Sequence, residues 1–232
     1  MRILAIETIE TAGSVALLDG QHLVAETRLD ASRRSARTLA PGIHDLLFGA
    51  GWTPREVELV AVATGPGSFT GLRIGVTTAK SFAYATGCGA VGVNSLLAIA
   101  ERMPAATAAF HVVLDAQRNE LFVGDFTRAA DGRLSGEETT RIVTAEAWIA
   151  ELPAGAIVTG PGLTKWAQRL GGKAILVEES LWHPTASAVG RLGLAGQQGG
   201  GRARPLELVP RYFRRTAAEE QWERKASAKR EA

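Results

Sequence analysis

The chain has 232 residues, of which 46% are hydrophobic and 22% are charged. This balance excludes a disordered, collagen-like or low-complexity chain, and the length suffices for one large domain or two small ones. The single cysteine, Cys88, excludes an internal disulfide and a cysteine-rich zinc module. There is no apolar run of about 18 residues, and a strand-like ILAIE directly follows Met1-Arg2, so we expect a cytoplasmic protein without a membrane span or signal peptide.

Basic residues are concentrated at the C-terminus. Residues 211–232 contain seven basic and four acidic side chains, which leaves 19 basic and 20 acidic ones in the rest of the chain. A body without a basic surplus argues against binding of a nucleic-acid duplex. We interpret the tail as a solvated helix of mixed charge, with a contact to phosphates or to a partner as the alternative.

The first half predicts an α/β layer. Three short strands open the chain, and an Asp19-Gly20 hairpin turn separates the second from the third. A helix up to Ala50 follows, then a strand VELVAVAT that leads into Gly65-Pro66-Gly67. A second helix spans about residues 68–85, and a strand AVGV and a short helix complete the half. Strands that alternate with helices indicate an α/β fold with antiparallel edge strands.

The second half repeats this mixture with a weaker pattern. Strands FHVVLD, ELFVGDF and LSGEETTRIV and a helix through Trp148 are predicted, and the tetrapeptide TGPG at 64–67 recurs at 159–162. Either coincidence or a duplicated fold explains this recurrence. Proline and small residues without periodicity follow residue 103 and indicate a boundary there. We therefore expect an N-terminal domain 1–103, a smaller C-terminal α/β domain 104–201, and a C-terminal segment with a charged helix 202–232.

Motifs for metal or nucleotide chemistry are not found in the sequence. The four histidines lie far apart without zinc-ligand spacing, and GPGSFTGLRIG has neither a P-loop ending nor the GxGxxG order. The glycine turn with Ser68 near the start of a helix offers backbone N–H groups to an anion, or else is a close turn without a ligand. Cys88 is interpreted as a packed thiol.

The helix after this turn carries a stripe of small residues, Gly71, Gly75, Ala79 and Ala83. Small residues four apart lie on one helix face and let another backbone approach closely. Two interpretations remain open: the stripe packs within its own domain, or it meets a helix of a second chain.

Five segments resemble the TsaB (YeaZ) family in the same order along the chain. They are LAIETIETAGSVALL, RTLAPGIHDLL, ELVAVATGPGSFTGLRIGVTTAKSFA, VVLDAQRNELFVGDF and LVPRYFRR. The resemblance covers nearly the whole chain, and GPGSFTGLRIG is close to diagnostic by itself. It implies a duplicated RNase H-like α/β fold, similar to actin and hexokinase (the ASKHA fold), with a smaller, degenerate second half.

The family resemblance also implies a function. TsaB proteins are partners of TsaD in threonylcarbamoyl transfer to adenine 37 of tRNA, so we expect a non-catalytic scaffold that binds TsaD. TsaE is expected in a ternary complex, a homodimer when TsaD is absent, and tRNA only as an indirect partner. No intrinsic cofactor or metal is expected, and a site for ATP or ADP at the TsaD junction is left open. The contact residues carried over from the family lie on the first two helices and are Leu39, Ile43, Leu47, Leu72, Arg73, Gly75, Val76, Ala79 and Lys80.

A remnant of a phosphate-binding loop is implied at Glu7, Thr8, Gly65, Gly67 and Ser68. Relatives have Asp followed by Thr-Ser after the first strand, whereas this chain has the longer Glu7, which weakens the expectation of nucleotide binding.

Two further segments differ in part from the family pattern. Ser35 and Ala36 stand where many relatives have polar residues of the expected contact, which leaves the polar part of that contact open. Asp115, Arg118 and Glu120 match a family motif in which Gln117 replaces an arginine; the role of this motif is open, and we favour a structural hairpin.

The alternative enzyme reading is an ATP-dependent small-molecule kinase of the same fold, for which Glu7 and Gly160-Pro161-Gly162 are poor substitutes for the required groups. A glycoprotease lacks support because neither a zinc motif nor a Ser-His-Asp order is present. A tRNA-binding module depends on the basic tail alone.

Overall fold

The structure is a computed structural model that describes residues 1–10, 12–31, 35–198 and 205–214. Its first half forms a five-stranded sheet in the order β3-β2-β1-β4-β5, in which β1, β4 and β5 are parallel and β2 is antiparallel to both neighbours. The strands are β1 (Arg2–Glu7), β2 (Ser14–Asp19), β3 (His22–Arg28), β4 (Leu59–Gly65) and β5 (Gly89–Asn94). Every residue of β4 is buried, as expected for a strand that helices cover on both faces.

Helices cover the two faces of this sheet. On one face, α1 (Ser35–Gly49) and α2 (Phe69–Thr86) bury apolar side chains against β1, β2 and β4. Because each helix connects two strands of the same direction, α1 and α2 run parallel to each other. On the other face lie α3 (Ser95–Ala100) and α6 (Ala186–Gln198). The first sheet is therefore the centre of a three-layer arrangement.

The second half forms a six-stranded sheet. Its order is β11-β10-β6-β7-β8, and β9 also pairs with β7. The helices α4 (Ala145–Glu151) and α5 (Leu163–Leu170) connect strands of this sheet. The strands are β6 (Ala109–Asp115), β7 (Glu120–Arg128), β8 (Leu134–Ser135), β9 (Arg141–Thr144), β10 (Ala156–Thr159) and β11 (Ala174–Leu176).

The two sheets repeat one topology. In each, an antiparallel hairpin is followed by a further antiparallel strand, which is divided into β8 and β9 in the second half, and then by a helix, a parallel strand, a helix and another parallel strand. The Gly-Pro-Gly turns occupy equivalent places after β4 and β10, and each packs against the first strand of its own half. A Cβ on Gly67 would lie 2.5 Å from Ile9 Cβ, and one on Gly160 would lie 2.2 Å from the Val113 carbonyl oxygen. The predicted duplicated α/β fold with a smaller second half is thus confirmed.

The prediction of one continuous strand over LSGEETTRIV is wrong. The structure divides it into β8, a 3₁₀ turn at Glu137–Thr139, and β9. Gly136 has a φ of +124°, and the Thr139 hydroxyl donates to the Gly136 carbonyl oxygen at 2.6 Å. This local turn interrupts the strand, because the hydroxyl replaces a ladder hydrogen bond.

The last helix of the second half covers the first sheet. A Cβ on Gly193 of α6 would lie 2.5 Å from Ala61 Cβ, which shows how closely the helix approaches β4. The Ser14 hydroxyl accepts from Ala186 N at 2.9 Å, and the Glu26 carboxylate accepts from Ser187 N at 2.9 Å, so β2 and β3 fix the first turn of α6. The expected domain bounds put residues 186–198 with the second half, and in the structure this helix packs on the sheet of the first half.

The stripe of small residues on α2 packs within the chain. A Cβ on Gly71 would lie 1.8 Å from the Thr8 carbonyl oxygen, and one on Gly75 would lie 2.4 Å from Thr8 Oγ1. Ala79 and Ala83 are buried in the same layer. Of the two interpretations left open by the sequence, packing within its own domain is correct, because the end of β1 fills the space beside the stripe.

The described helices include none that is both long and apolar enough to cross a membrane. Parts of two predictions lie outside the described residues: the glycine-rich linker from residue 199 and the charged helix beyond Arg214.

We expect Gly75→Ala to destabilise the fold by about 1–3 kcal/mol, because overpacking outweighs the roughly 1 kcal/mol gain in helix propensity. Thr8 Oγ1 cannot retreat easily, since it donates to the Gly71 carbonyl oxygen at 2.8 Å. The matched control is Gly196→Ala on α6, where nothing lies within 4 Å of the added methyl. Chemical denaturation measures both variants, and equal stability of Gly75→Ala and wild type would contradict this packing.

Candidate partner-binding surface

Most of the predicted contact residues on α1 and α2 are buried in the core of the chain. Their side chains face the first sheet, because the apolar stripe of each helix must cover it. The contact residues that are buried in this way are Leu39, Ile43, Leu47, Leu72, Gly75, Val76 and Ala79. The chain itself covers these residues, and their contact with a second protein stays a prediction. Two predicted residues, Arg73 and Lys80, remain at the outer side of α2.

The outer side of α1 and α2 exposes two aromatic side chains. Phe48 on α1 is 80% exposed and Tyr84 on α2 is 85% exposed. Both lie in the last turns of helices that run in the same direction, so they stand at the same end of the layer. Large aromatic residues at such exposure are the usual anchors of protein interfaces. Neither aromatic residue is among the contact residues predicted from the sequence.

Residues 205–214, which we call the C-terminal strap, lie along α2. Leu208 is buried against the α1–α2 layer. Lys80 Nζ donates to the Leu206 carbonyl oxygen at 3.2 Å, and Arg211 N donates to the Thr64 carbonyl oxygen at 2.7 Å. A Cβ on Gly65 would lie 2.5 Å from the Arg211 carbonyl oxygen, so the close approach of the strap requires glycine there.

The Arg73 guanidinium lies on an aromatic pair to which the strap contributes one ring. Phe69 and Tyr212 stack with ring centroids 4.7 Å apart. The Arg73 guanidinium carbon lies 3.9 Å from the centroid of Phe69, and Arg73 Nε donates to the Tyr212 hydroxyl at 3.0 Å. The sequence could not pair residues 139 positions apart, although LVPRYFRR was recognised as a family segment.

The strap continues onto the second half of the chain. Phe213 packs edge to face on Phe122, with centroids 6.2 Å apart. Arg214 Nη1 donates to the Ala116 carbonyl oxygen at 2.6 Å, and the same guanidinium forms an ion pair with Glu120. The strap thus connects α2 in the first half with the β6–β7 hairpin in the second.

The three motif residues of uncertain role belong to this hairpin. The Asp115 carboxylate accepts from Gln117 N at 3.1 Å, and Glu120 holds Arg214 of the strap. Gln117, Arg118 and Asn119 all have positive φ, between 53° and 64°, and form the tight connection between the strands. The interpretation of this motif as a structural hairpin agrees with the geometry, and Glu120 also anchors the strap.

The implied phosphate-loop remnant is filled by the chain itself. The Ile9 carbonyl oxygen accepts from Ser68 N at 3.0 Å, and Ser68 Oγ accepts from Gly71 N at 3.3 Å. Thr8 is buried and donates its hydroxyl to the Gly71 carbonyl oxygen, while Gly67 packs on Ile9. These contacts use the Ser68 and Gly71 N–H groups and fill the space beside the turn. The turn is a close strand-to-helix connection.

The pKa of Glu7 is raised from its ordinary value of 4.5 to about 8, mainly by burial and to a smaller extent by the charge of Glu10. The hydrogen bond from Ile9 N to Glu7 Oε1, at 2.6 Å, and the charge of Arg28 act in the opposite direction but are weaker than the burial. Glu7 is therefore mostly protonated near neutral pH. A neutral carboxyl at this position is a poor ligand for Mg²⁺, which prefers carboxylate oxygens.

Protonation of Glu7 predicts a pH-dependent stability. In the unfolded chain the Glu7 carboxyl loses its proton above its ordinary pKa of 4.5. In the folded chain the carboxyl keeps its proton up to about pH 8. The free energy of unfolding should therefore fall as the pH rises between these values. We expect Glu7→Gln to remove this fall. Between pH 5 and pH 8, the free energy of unfolding of the variant should rise relative to that of wild type by more than about 1 kcal/mol, or about 2–4 °C in Tm. Thermal unfolding at both pH values measures it, and parallel curves for the two proteins would contradict a protonated Glu7.

Within the described ranges, no group of three His, Cys, Asp or Glu side chains is placed to hold a metal ion.

A cleft of about 490 Å³ runs along β5, between α6 and the β7–β8 connection. None of the predicted site residues lines this cleft.

The sequence and the fold match known proteins. The family model for TsaD, the tRNA N6-adenosine threonylcarbamoyltransferase, matches residues 29–164. The "tRNA threonylcarbamoyladenosine biosynthesis protein TsaB" of Escherichia coli is 32% identical over 63% of this chain and 64% of its own length. The TsaB protein of Bacillus subtilis is 28% identical over 96% of this chain and 98% of its own length.

Solved structures agree with these relatives. YeaZ from Pseudomonas aeruginosa has a TM-score of 0.76 at 24% identity, and covers 91% of this chain and 99% of its own. A crystal structure of an uncharacterized protein with similarity to YeaZ has a TM-score of 0.75 at 26% identity, and covers 92% of this chain and 99% of its own. Within the broader family that the TsaD model describes, this chain belongs to the TsaB (YeaZ) family.

Proposed function

We propose that this protein takes part in the biosynthesis of threonylcarbamoyladenosine in tRNA as a non-catalytic subunit that binds TsaD. The pathway follows from the names of its TsaB relatives, and a TsaD-type family model matches more than half of the chain. The contact would use the outer side of α1 and α2, not the buried stripe. The observation that carries this proposal is the pair of exposed aromatics, Phe48 and Tyr84, at one end of that layer.

The interior of the site supports a scaffold over an enzyme. A kinase of this fold would need a cradle for phosphates and a carboxylate for Mg²⁺. Here Thr8 and Ile9 fill the cradle, and Glu7 is buried and protonated near neutral pH.

If the complex binds ATP or ADP, we expect the nucleotide at the junction with TsaD. TsaE is expected to join that complex.

The same outer side accounts for self-association. Without TsaD, two copies would cover their exposed aromatics against each other, and a symmetric dimer repeats one patch on both subunits. The homodimer and the TsaD complex would then compete for one surface.

We expect the double variant Phe48→Asp/Tyr84→Asp to fold normally, since both side chains are exposed, and to bind TsaD at least 30-fold more weakly, about 2 kcal/mol. The matched control is Ile175→Asp, which places a charge on a 57% exposed apolar residue of β11. Titration calorimetry against TsaD from the same organism measures affinity, and light scattering measures self-association. Unchanged binding of a folded double variant would contradict the proposed surface.

The purified chain should release no ADP from ATP by itself, and activity should appear only when TsaD and the other components of the transfer reaction are added. A coupled ADP assay with and without TsaD distinguishes the scaffold from the kinase. Turnover by the isolated chain that Glu7→Gln abolishes would establish the kinase instead.

A further inference from the structure

The guanidinium of Arg73 is held in one orientation at the outer side of α2. Its plane lies over Phe69 at 3.9 Å, and its Nε is committed to the Tyr212 hydroxyl. Tyr212 belongs to the strap, which is fixed in turn by Leu208, by the Arg211 backbone and by Arg214. A side chain that is normally among the most mobile on a protein surface is therefore ordered before any partner binds.

Both Nη groups of Arg73 are left without a protein partner among the described residues. The one hydrogen bond that the guanidinium makes there uses Nε, and no described acid forms an ion pair with it. The sequence of α2 contains no Asp or Glu. On α1 the single acid, Asp45, lies 3.0 Å from His44 Nδ1. The outer side of the two helices therefore presents a fixed cation with unused donors.

The surroundings of Arg73 suit a carboxylate better than a phosphate group. A phosphate site gathers several cations and backbone N–H groups. Here the nearby Ser68 and Gly71 N–H groups are used within the chain, and Lys80 lies about two helical turns away with its amine on the Leu206 carbonyl oxygen. One planar fork held over the Phe69 ring matches one planar carboxylate.

We propose that Arg73, oriented by Phe69 and Tyr212, binds an aspartate or glutamate side chain of the protein that docks on the α1–α2 surface. This inference rests on the proposed function, since it supplies the chemistry of the partner at that surface. The partner would present a carboxylate that meets the two Nη groups side by side. The strap acts as the positioning element, because its Tyr212 sets the direction of the fork.

Three variants test the contact with TsaD. Arg73→Glu should weaken binding at least 30-fold, and Arg73→Lys should weaken it about tenfold because a point charge replaces the planar fork. Tyr212→Phe keeps the ring but loses the hydroxyl, and should weaken binding about three- to tenfold. The control Arg55→Glu reverses an equally exposed arginine on the 3₁₀ turn at Pro54–Glu56, away from the strap, and should change affinity less than twofold.

A double-mutant cycle separates positioning from general stability. If Tyr212 acts through Arg73, Tyr212→Phe should have no further effect in an Arg73→Ala background. Arg73→Ala should also reduce the dependence of affinity on salt, because one charge pair is lost. Additive effects of the two changes would overturn the positioning role, and thermal unfolding of each variant shows that all remain folded.

Failure of this inference differs from failure of the proposed function. If Arg73→Glu binds TsaD like wild type while Phe48→Asp/Tyr84→Asp does not bind, the carboxylate contact is wrong and the surface stands. If neither variant affects binding, the surface itself is wrong. Binding of tRNA to the isolated chain should be equal for wild type and Arg73→Glu, and a loss in the variant would identify phosphate as the ligand and overturn the proposal.

Discussion

The close approach of the end of β1 to the N-terminal half of α2 sets the geometry of the first half. Thr8 lies where Cβ atoms on Gly71 or Gly75 would stand, and Ile9 packs on Gly67. A larger side chain at any of these glycines would move α2 away from the sheet. The contact therefore fixes which side of α2 faces the core, and so which side is left for a partner.

The same contact fills the turn at which the family resemblance implied a remnant of a phosphate-binding loop. In a phosphate-binding turn the N–H groups at the start of the helix point into open space. Here Ser68 N donates to the Ile9 carbonyl oxygen, and the Thr8 hydroxyl donates to the Gly71 carbonyl oxygen. Glu7 is buried. Burial that stabilises the turn also makes the ionised form of Glu7 unfavourable. Packing of the chain on itself therefore fills this turn and keeps Glu7 protonated near neutral pH.

The C-terminal strap gives that surface its second component. It crosses from α2 to the β6–β7 hairpin, where Glu120 and the Ala116 carbonyl oxygen hold Arg214. The strap and α6 both come from the later part of the chain and pack on the first half. A change in the arrangement of the two halves would therefore act on the orientation of Arg73, through Tyr212.

The sequence by itself determined most elements of the first half. Apolar runs defined β1, β2 and β4 and helical periodicity defined α1 and α2, whereas the repeated Gly-Pro-Gly turns suggested two equivalent halves without deciding between duplication and coincidence. These features follow from local periodicity and turn chemistry, which depend on neighbours within a few residues. Only the tertiary structure decided the face of the α2 stripe, because Thr8 and Gly75 are 67 positions apart and periodicity cannot tell a sheet from a second chain as the covering layer. It also decided the environment of Arg73, since the pairing with Tyr212 depends on the path of the strap across the fold and not on any local pattern.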